Sequence, residues 1–172
     1  MHRGVTGSIN LNRNLQSVLN PDGTGFEHRE QWFKTGDKLM QQQNDYDKQV
    51  FNGDTGRIVF CDPKSREIHV SFDQGIVRYT AKEIDQLALA YAISVHKSQG
   101  SEYPALILPL TTHHYMMLQR NLLYTALTRG KQLVILIGME KAVAMAVKNE
   151  EARTRHTSLP RHFREMKELM AL

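Results

Sequence analysis

Two short polar segments interrupt otherwise apolar stretches of this chain, and their residue types could do chemistry. The first is Ser94-Val95-His96-Lys97-Ser98-Gln99-Gly100-Ser101-Glu102-Tyr103. It offers hydroxyls, an amide, a cation, a glycine for close backbone approach and one carboxylate. Hydroxyls and main-chain N–H groups suit phosphate oxygens, and a carboxylate suits ribose hydroxyls. The same residues also make an ordinary polar strand-to-helix turn, with serine and glycine capping and bending the chain. The second segment is Tyr124-Thr125-Ala126-Leu127-Thr128-Arg129-Gly130. Leu118, Leu122, Leu123 and Leu127 mark the apolar face of a helix that stops at Gly130, a good C-cap, leaving Tyr124, Thr125 and Arg129 off the core side. Arg129 in the last turn could simply complement the helix dipole, worth roughly 0.3–1 kcal/mol. It could equally stabilise charge on a transferring phosphoryl group, as an arginine finger does. Taken singly, each segment leaves both readings open.

The elements that must position these segments follow from periodicity. A short helix is expected from Leu11 to Leu19, with Leu11, Leu15, Val18 and Leu19 on one face and Pro21 closing it. From Thr35 to Ile84 the texture is β-rich, with short runs at 38–43, 57–62, 67–72 and 76–80 separated by turn residues. Ile68, Val70 and Phe72 alternate with polar neighbours, the period of a half-buried strand, and runs this short and evenly spaced suggest a small barrel. From Gln86 the pattern becomes α/β. A strand over 87–95 should place the first polar segment at its carboxyl end, where ligands of open α/β sheets gather. The apolar run 105–110 reads as a strand buried on both faces, 132–138 as the next strand and 140–149 as a helix. Strand, strand, helix, strand, helix argues for a parallel sheet with crossovers.

Composition narrows the class. The chain has 172 residues, 41% hydrophobic and 23% charged, which suits one soluble domain or a domain with a small satellite. It holds no apolar run near the roughly 20 residues of a membrane span and no signal-type N-terminus, so no membrane partner is expected and the cytoplasm is the expected compartment. A lone cysteine, Cys61, excludes a disulfide framework and a CxxC zinc site. A net charge of +4 fits a polyanionic partner without requiring one.

Together the two polar segments carry a resemblance. HKSQGSEY followed by LLYTALTRGK resembles motifs V and VI of superfamily 1 helicases. Residues 36–58 (GDKLMQQQNDYDKQVFNGDTGRI) look like the opening of the SH3-like barrel inserted in RecD/TraA-type helicases, of which the exonuclease V alpha chain is one. Residues 2–21 look like the stretch around motif IV, and RHTSLPRHF resembles the C-terminal tail of the same proteins.

The resemblance implies an α/β fold: a second RecA-like motor domain, of parallel-sheet P-loop type, interrupted by the barrel. Residues 1–34 and 85–172 would form the motor domain and 35–84 the insertion. It implies an ATP-dependent DNA helicase, of 5′-to-3′ polarity by family, acting in repair, recombination or conjugation. Arg129 would be the motif VI finger toward the γ-phosphate, and Arg3 a second nucleotide-contacting arginine from motif IV. Gly100 and Glu102 would lie near the nucleotide, with Glu102 on the ribose. His96, Lys97 and Ser98 would touch the single-strand backbone, and Gln99 would couple the two sites. GxxxxGK[ST] occurs nowhere in these residues. The cofactors, ATP and Mg²⁺, would therefore be held chiefly by a first RecA-like domain, and this chain alone should be inactive. The implied partners are single-stranded DNA, that N-terminal RecA-like domain and nuclease-complex subunits. A reading of another class is a non-catalytic module that binds nucleic acid or protein, with the RecA-like part as scaffold.

Other features take plain readings. His113-His114 lacks acidic or cysteine partners at ligand spacing, so no metal is expected. Met116, Met117, Met139, Met145 and Met166 read as core filler, Tyr124 as a packing aromatic, and Trp32-Phe33 as a plug between domains rather than a base-stacking platform. The charged tail, 148–167, reads as a solvated helix or as a strip lying on DNA.

Overall fold

The first helix, α1 (Ser8–Leu19), forms where expected but turns its polar side inward: Asn12 and Gln16 are buried, while Val18 and Leu19 are exposed. The cause is a set of polar groups beneath it that need partners, above all the carboxylate of Asp37. The computed structural model describes residues 7–150 together with residues 158, 162, 163, 166 and 167. Arg3 and most of the charged tail lie outside the described residues.

Beyond α1 a tight hairpin, β1 (Gly25–His28) and β2 (Gln31–Lys34), leads into the β-rich unit. Strands β3 (Lys38–Gln41), β4 (Thr55–Asp62), β5 (Glu67–Phe72) and β6 (Gly75–Tyr79) match the sequence periodicity closely. With β7 (Leu87–Leu89) they make a five-stranded antiparallel sheet in the order β6-β5-β4-β3-β7. Its core gathers Leu39, Ile58, Ile68, Val70, Tyr79 and Ile84, and the hairpin adds Phe26 and Phe33. Phe33 points into this core and Trp32, one residue away on the pleat, points out of it, so the expected plug is divided between two faces.

The predicted strand over 87–95 is cut to three residues and belongs to the barrel sheet rather than to a parallel one. Past β7, the Asn12 side chain bonds both main-chain groups of Ala92, donating to its carbonyl at 2.7 Å and accepting from its N–H at 2.9 Å. Those are the bonds a neighbouring strand would have made, so no strand is needed to satisfy this backbone.

The α/β part is built from β8 (Tyr103–Leu110) and β9 (Gly130–Gly138), which pair in parallel through the crossover helix α2 (Arg120–Leu127). A last helix, α3 (Glu140–Lys148), follows. One face of this sheet is covered: Leu108 and Leu110 pack with Leu118, Leu123, Ala142 and Ala146. On the other face Ile107 stands opposite Ile135, flanked by Leu133 and Ile137, and all four are exposed. The expectation of strands buried on both faces is therefore corrected, because among the described residues no layer lies over this side. Met116, Met139 and Met166, read as core filler, are exposed as well.

Candidate functional site

The two polar segments come together at the amino ends of β8 and β9, not at the carboxyl end of a parallel strand. After Ser94 the chain makes one 3-10 turn, Val95–Ser98, capped by the Ser94 hydroxyl, which accepts from the Lys97 N–H. Ser98 is buried and donates its hydroxyl to the Val95 carbonyl at 2.8 Å, so this side chain holds the turn rather than facing outward. His96, Lys97 and Gln99 are exposed around it, and the Lys97 ammonium donates to the Gln42 side-chain carbonyl beyond the end of β3. Gly100 has φ +82, a left-handed conformation that an L side chain enters only at a cost, and it turns the chain toward β8.

Helix α2 ends at Leu127, and Gly130 opens β9 instead of capping the helix. A Cβ there would lie 2.5 Å from Val134 Cγ2, so glycine is required by close packing rather than by a positive φ. Arg129 thus sits in the bend between α2 and β9. Its carbonyl accepts from the Tyr103 N–H at 2.8 Å, and its guanidinium donates to the Ser101 carbonyl at 3.3 Å. Two further 3.3 Å bonds go to the Thr125 carbonyl and the Thr128 hydroxyl. Among the described residues no carboxylate lies within ion-pair distance of Arg129.

Glu102, on the same edge, is paired with Lys131 at 2.7 Å. That hydrogen bond and charge, with a smaller contribution from Arg129, hold its carboxyl below the usual range. Lys131 was not singled out from the sequence, although its place after Arg129-Gly130 was the available signal. The edge therefore presents two cations and one exposed carboxylate. This donor set fits the phosphate oxygens and ribose of a nucleotide. It does not fit the nucleotide's magnesium, because the single carboxylate is engaged by a lysine. Tyr124, read as a packing aromatic, is 69% exposed.

Upstream of the first segment lies a buried carboxylate, Asp37, that sequence reading missed. Asp37 is fully buried and accepts from Gln16 Nε2 at 2.6 Å, Asn20 Nδ2 at 2.7 Å, the Lys34 N–H at 2.7 Å and the Tyr91 hydroxyl at 2.9 Å. Gln16 also donates to the Trp32 carbonyl at 2.9 Å. One group thus ties α1, the hairpin and Tyr91 together, just upstream of the polar turn. Asn12 and Gln16, four residues apart on α1, form the polar stripe that marks its buried face, and Asn20 just past its end adds a further donor to Asp37.

Comparison with known proteins agrees with this architecture. Residues 11–72 match the SH3 domain of ATP-dependent RecD-like DNA helicases, and residues 89–137 match the UvrD-like helicase C-terminal domain. The first match begins within α1, the helix that Asp37 ties to the barrel. The chain is 35% identical to the ATP-dependent RecD2 DNA helicase of Deinococcus radiodurans over 95% of its length, and 33% identical to the RecBCD enzyme subunit RecD of Mycobacterium tuberculosis over 88%. It spans 22% and 26% of those two relatives. Its fold is similar to that of Bacteroides Pif1 in a crystal structure bound to ssDNA, with a TM-score of 0.56 and 18% identity over 95% of this chain and 44% of that one. With the two helicase domains in this order and RecD relatives aligned along nearly all of it, the chain belongs to the RecD-like DNA helicase family and carries its SH3-like and UvrD-like C-terminal domains.

Proposed function

We propose that this chain is the second motor domain, with its barrel insertion, of an ATP-dependent DNA helicase that moves 5′ to 3′ along single-stranded DNA in the cytoplasm and unwinds duplex. On this reading residues 35–84 are the insertion and the flanking residues form the motor domain. The observation that carries the reading is the meeting of Arg129 with the Ser101 carbonyl. It joins both polar segments at one edge and leaves a guanidinium without a carboxylate partner among the described residues.

ATP would be shared with a first RecA-like domain, which holds the phosphates and Mg²⁺, and its hydrolysis would supply the free energy for movement. Arg129 offers a planar, permanently charged fork to phosphate oxygens. Gly100 allows close backbone approach, and Glu102 accepts from ribose hydroxyls once Lys131 releases it. Arg3 would add a second contact to the nucleotide. His96 and Lys97 donate to the strand's phosphates from the exposed side of their turn, Ser98 braces that turn, and Gln99 links it to the nucleotide edge. Subunits of a nuclease complex are the further partners the RecBCD relatives suggest.

The test compares the 172-residue chain with the longer protein that contains it. DNA-stimulated ATP hydrolysis is expected from the longer protein and not from the chain. Hydrolysis that co-purifies with the chain through several columns overturns its inactivity, and a longer protein without hydrolysis overturns the motor.

A further inference from the structure

A groove of about 330 Å³ runs between α1, the tip of the β1–β2 hairpin and the stretch from Ala92 to Lys97. That volume lies near the lower end of the roughly 300–1,000 Å³ of small-molecule sites. Four features of its wall need a joint explanation. Trp32, the only tryptophan in the sequence, lines it and is 48% exposed. Arg13, Arg29 and Lys97 also line it, against the single acid Glu30. Gln31 contributes a buried Nε2 donor that has no acceptor among the described residues. The hairpin tip carries Arg29 at φ 48 and Glu30 at φ 65, where a two-residue hairpin turn normally uses Asn-Gly. Strain of this kind persists where the surroundings hold it, and here it fixes Arg29 at the mouth of the groove. Arg13 reaches the same tip and donates to the Glu30 carbonyl at 3.4 Å, while Arg29 pairs at 2.8 Å with Asp85 and stays largely exposed.

We propose that this groove takes one nucleotide of single-stranded DNA, its base stacked on Trp32 and its flanking phosphates on Arg13, Arg29 and Lys97. This rests on the helicase reading and adds a base-contacting subsite between α1 and the barrel hairpin, away from the nucleotide edge. An aromatic platform beside backbone-tracking cations is the usual way to grip single strands without reading sequence. A carbonyl or phosphate oxygen of the occupant gives Gln31 the acceptor it lacks.

The single tryptophan makes the test direct. The chain is titrated at low salt with an oligothymidylate and with an abasic oligonucleotide of equal length, following tryptophan emission and labelled-strand anisotropy together. Thymidylate is expected to quench the emission and the abasic strand is not. Trp32→Ala should weaken thymidylate binding about tenfold, to the level of the abasic strand, while Trp32→Phe keeps most of it. Arg13→Ala and Arg29→Ala should each lower the slope of log affinity against log salt by about one. Unquenched emission with Trp32→Ala binding like wild type overturns the groove. If Lys97→Ala still weakens binding in that case, the DNA reading survives. A chain that binds neither strand at low salt overturns both.

Discussion

Arg129 is held by three long bonds to oxygen acceptors and by no ion pair within the described residues. Its bond to the Thr125 carbonyl serves the end of α2, and its bond to the Ser101 carbonyl reaches the other polar segment. Asp37 is the opposite case, a carboxylate wholly consumed by its neighbours. Asp37→Ala takes the acceptor from the buried Gln16 amide and from the half-buried Lys34 N–H, Asn20 and Tyr91 donors, and we expect it to cost about 3–5 kcal/mol. Urea unfolding measures this; a midpoint near that of the wild type would refute the hub. Cys61 gives a second check on the same core. Burial, and next the charge of Asp37, push its thiol up to about 11. At pH 8 the folded chain should react with a thiol reagent far more slowly than the unfolded chain. Because the thiol stays protonated only in the folded state between about 9 and about 11, its contribution to stability is complete below the unfolded value of about 9. It is lost as pH rises toward about 11.

At the level of elements, the barrel was the most legible part. Its strands alternate with period two, and each hairpin is marked by turn residues, so β4, β5 and β6 fall within two residues of expectation. Helix α1 was located correctly but facing the wrong way, because hydrophobic periodicity cannot announce that a buried carboxylate will call for glutamine and asparagine. The strand over 87–95 failed for a related reason: Asn12, some eighty residues away in sequence, takes over the backbone of Ala92. Sequence also suggested a doubly covered sheet, whereas β8 and β9 leave Ile107, Leu133, Ile135 and Ile137 open. Parallel strands are normally covered on both faces. The isolated chain should therefore bind a hydrophobic dye and self-associate, and Ile107→Lys with Ile135→Lys should reduce both. Sedimentation that shows a dye-silent monomer would count against an uncovered face.

Across the whole molecule, the two motifs were recognisable from residue types in order, but their meeting was not. It depends on the parallel pairing that sets Tyr103 beside Gly130. The same geometry brings Lys131 onto Glu102, a pair that no local pattern announces. The chain spans about a quarter of the length of the RecD relatives it matches, and on the proposed reading its central role is to complete a nucleotide site shared with a first RecA-like domain. The most direct measurement of that role is steady-state ATP hydrolysis, with nucleotide affinity and melting temperature, for Arg129→Ala and Arg129→Lys in the longer protein. An arginine finger is worth roughly 10³–10⁵ in rate. We expect turnover to fall on that scale in Arg129→Ala with nucleotide binding and melting nearly unchanged, and Arg129→Lys to recover little of it, since a point charge lacks the fork. Turnover within about threefold of wild type, with good rescue by lysine, is what a helix-end cation predicts, and that result would contradict the assignment.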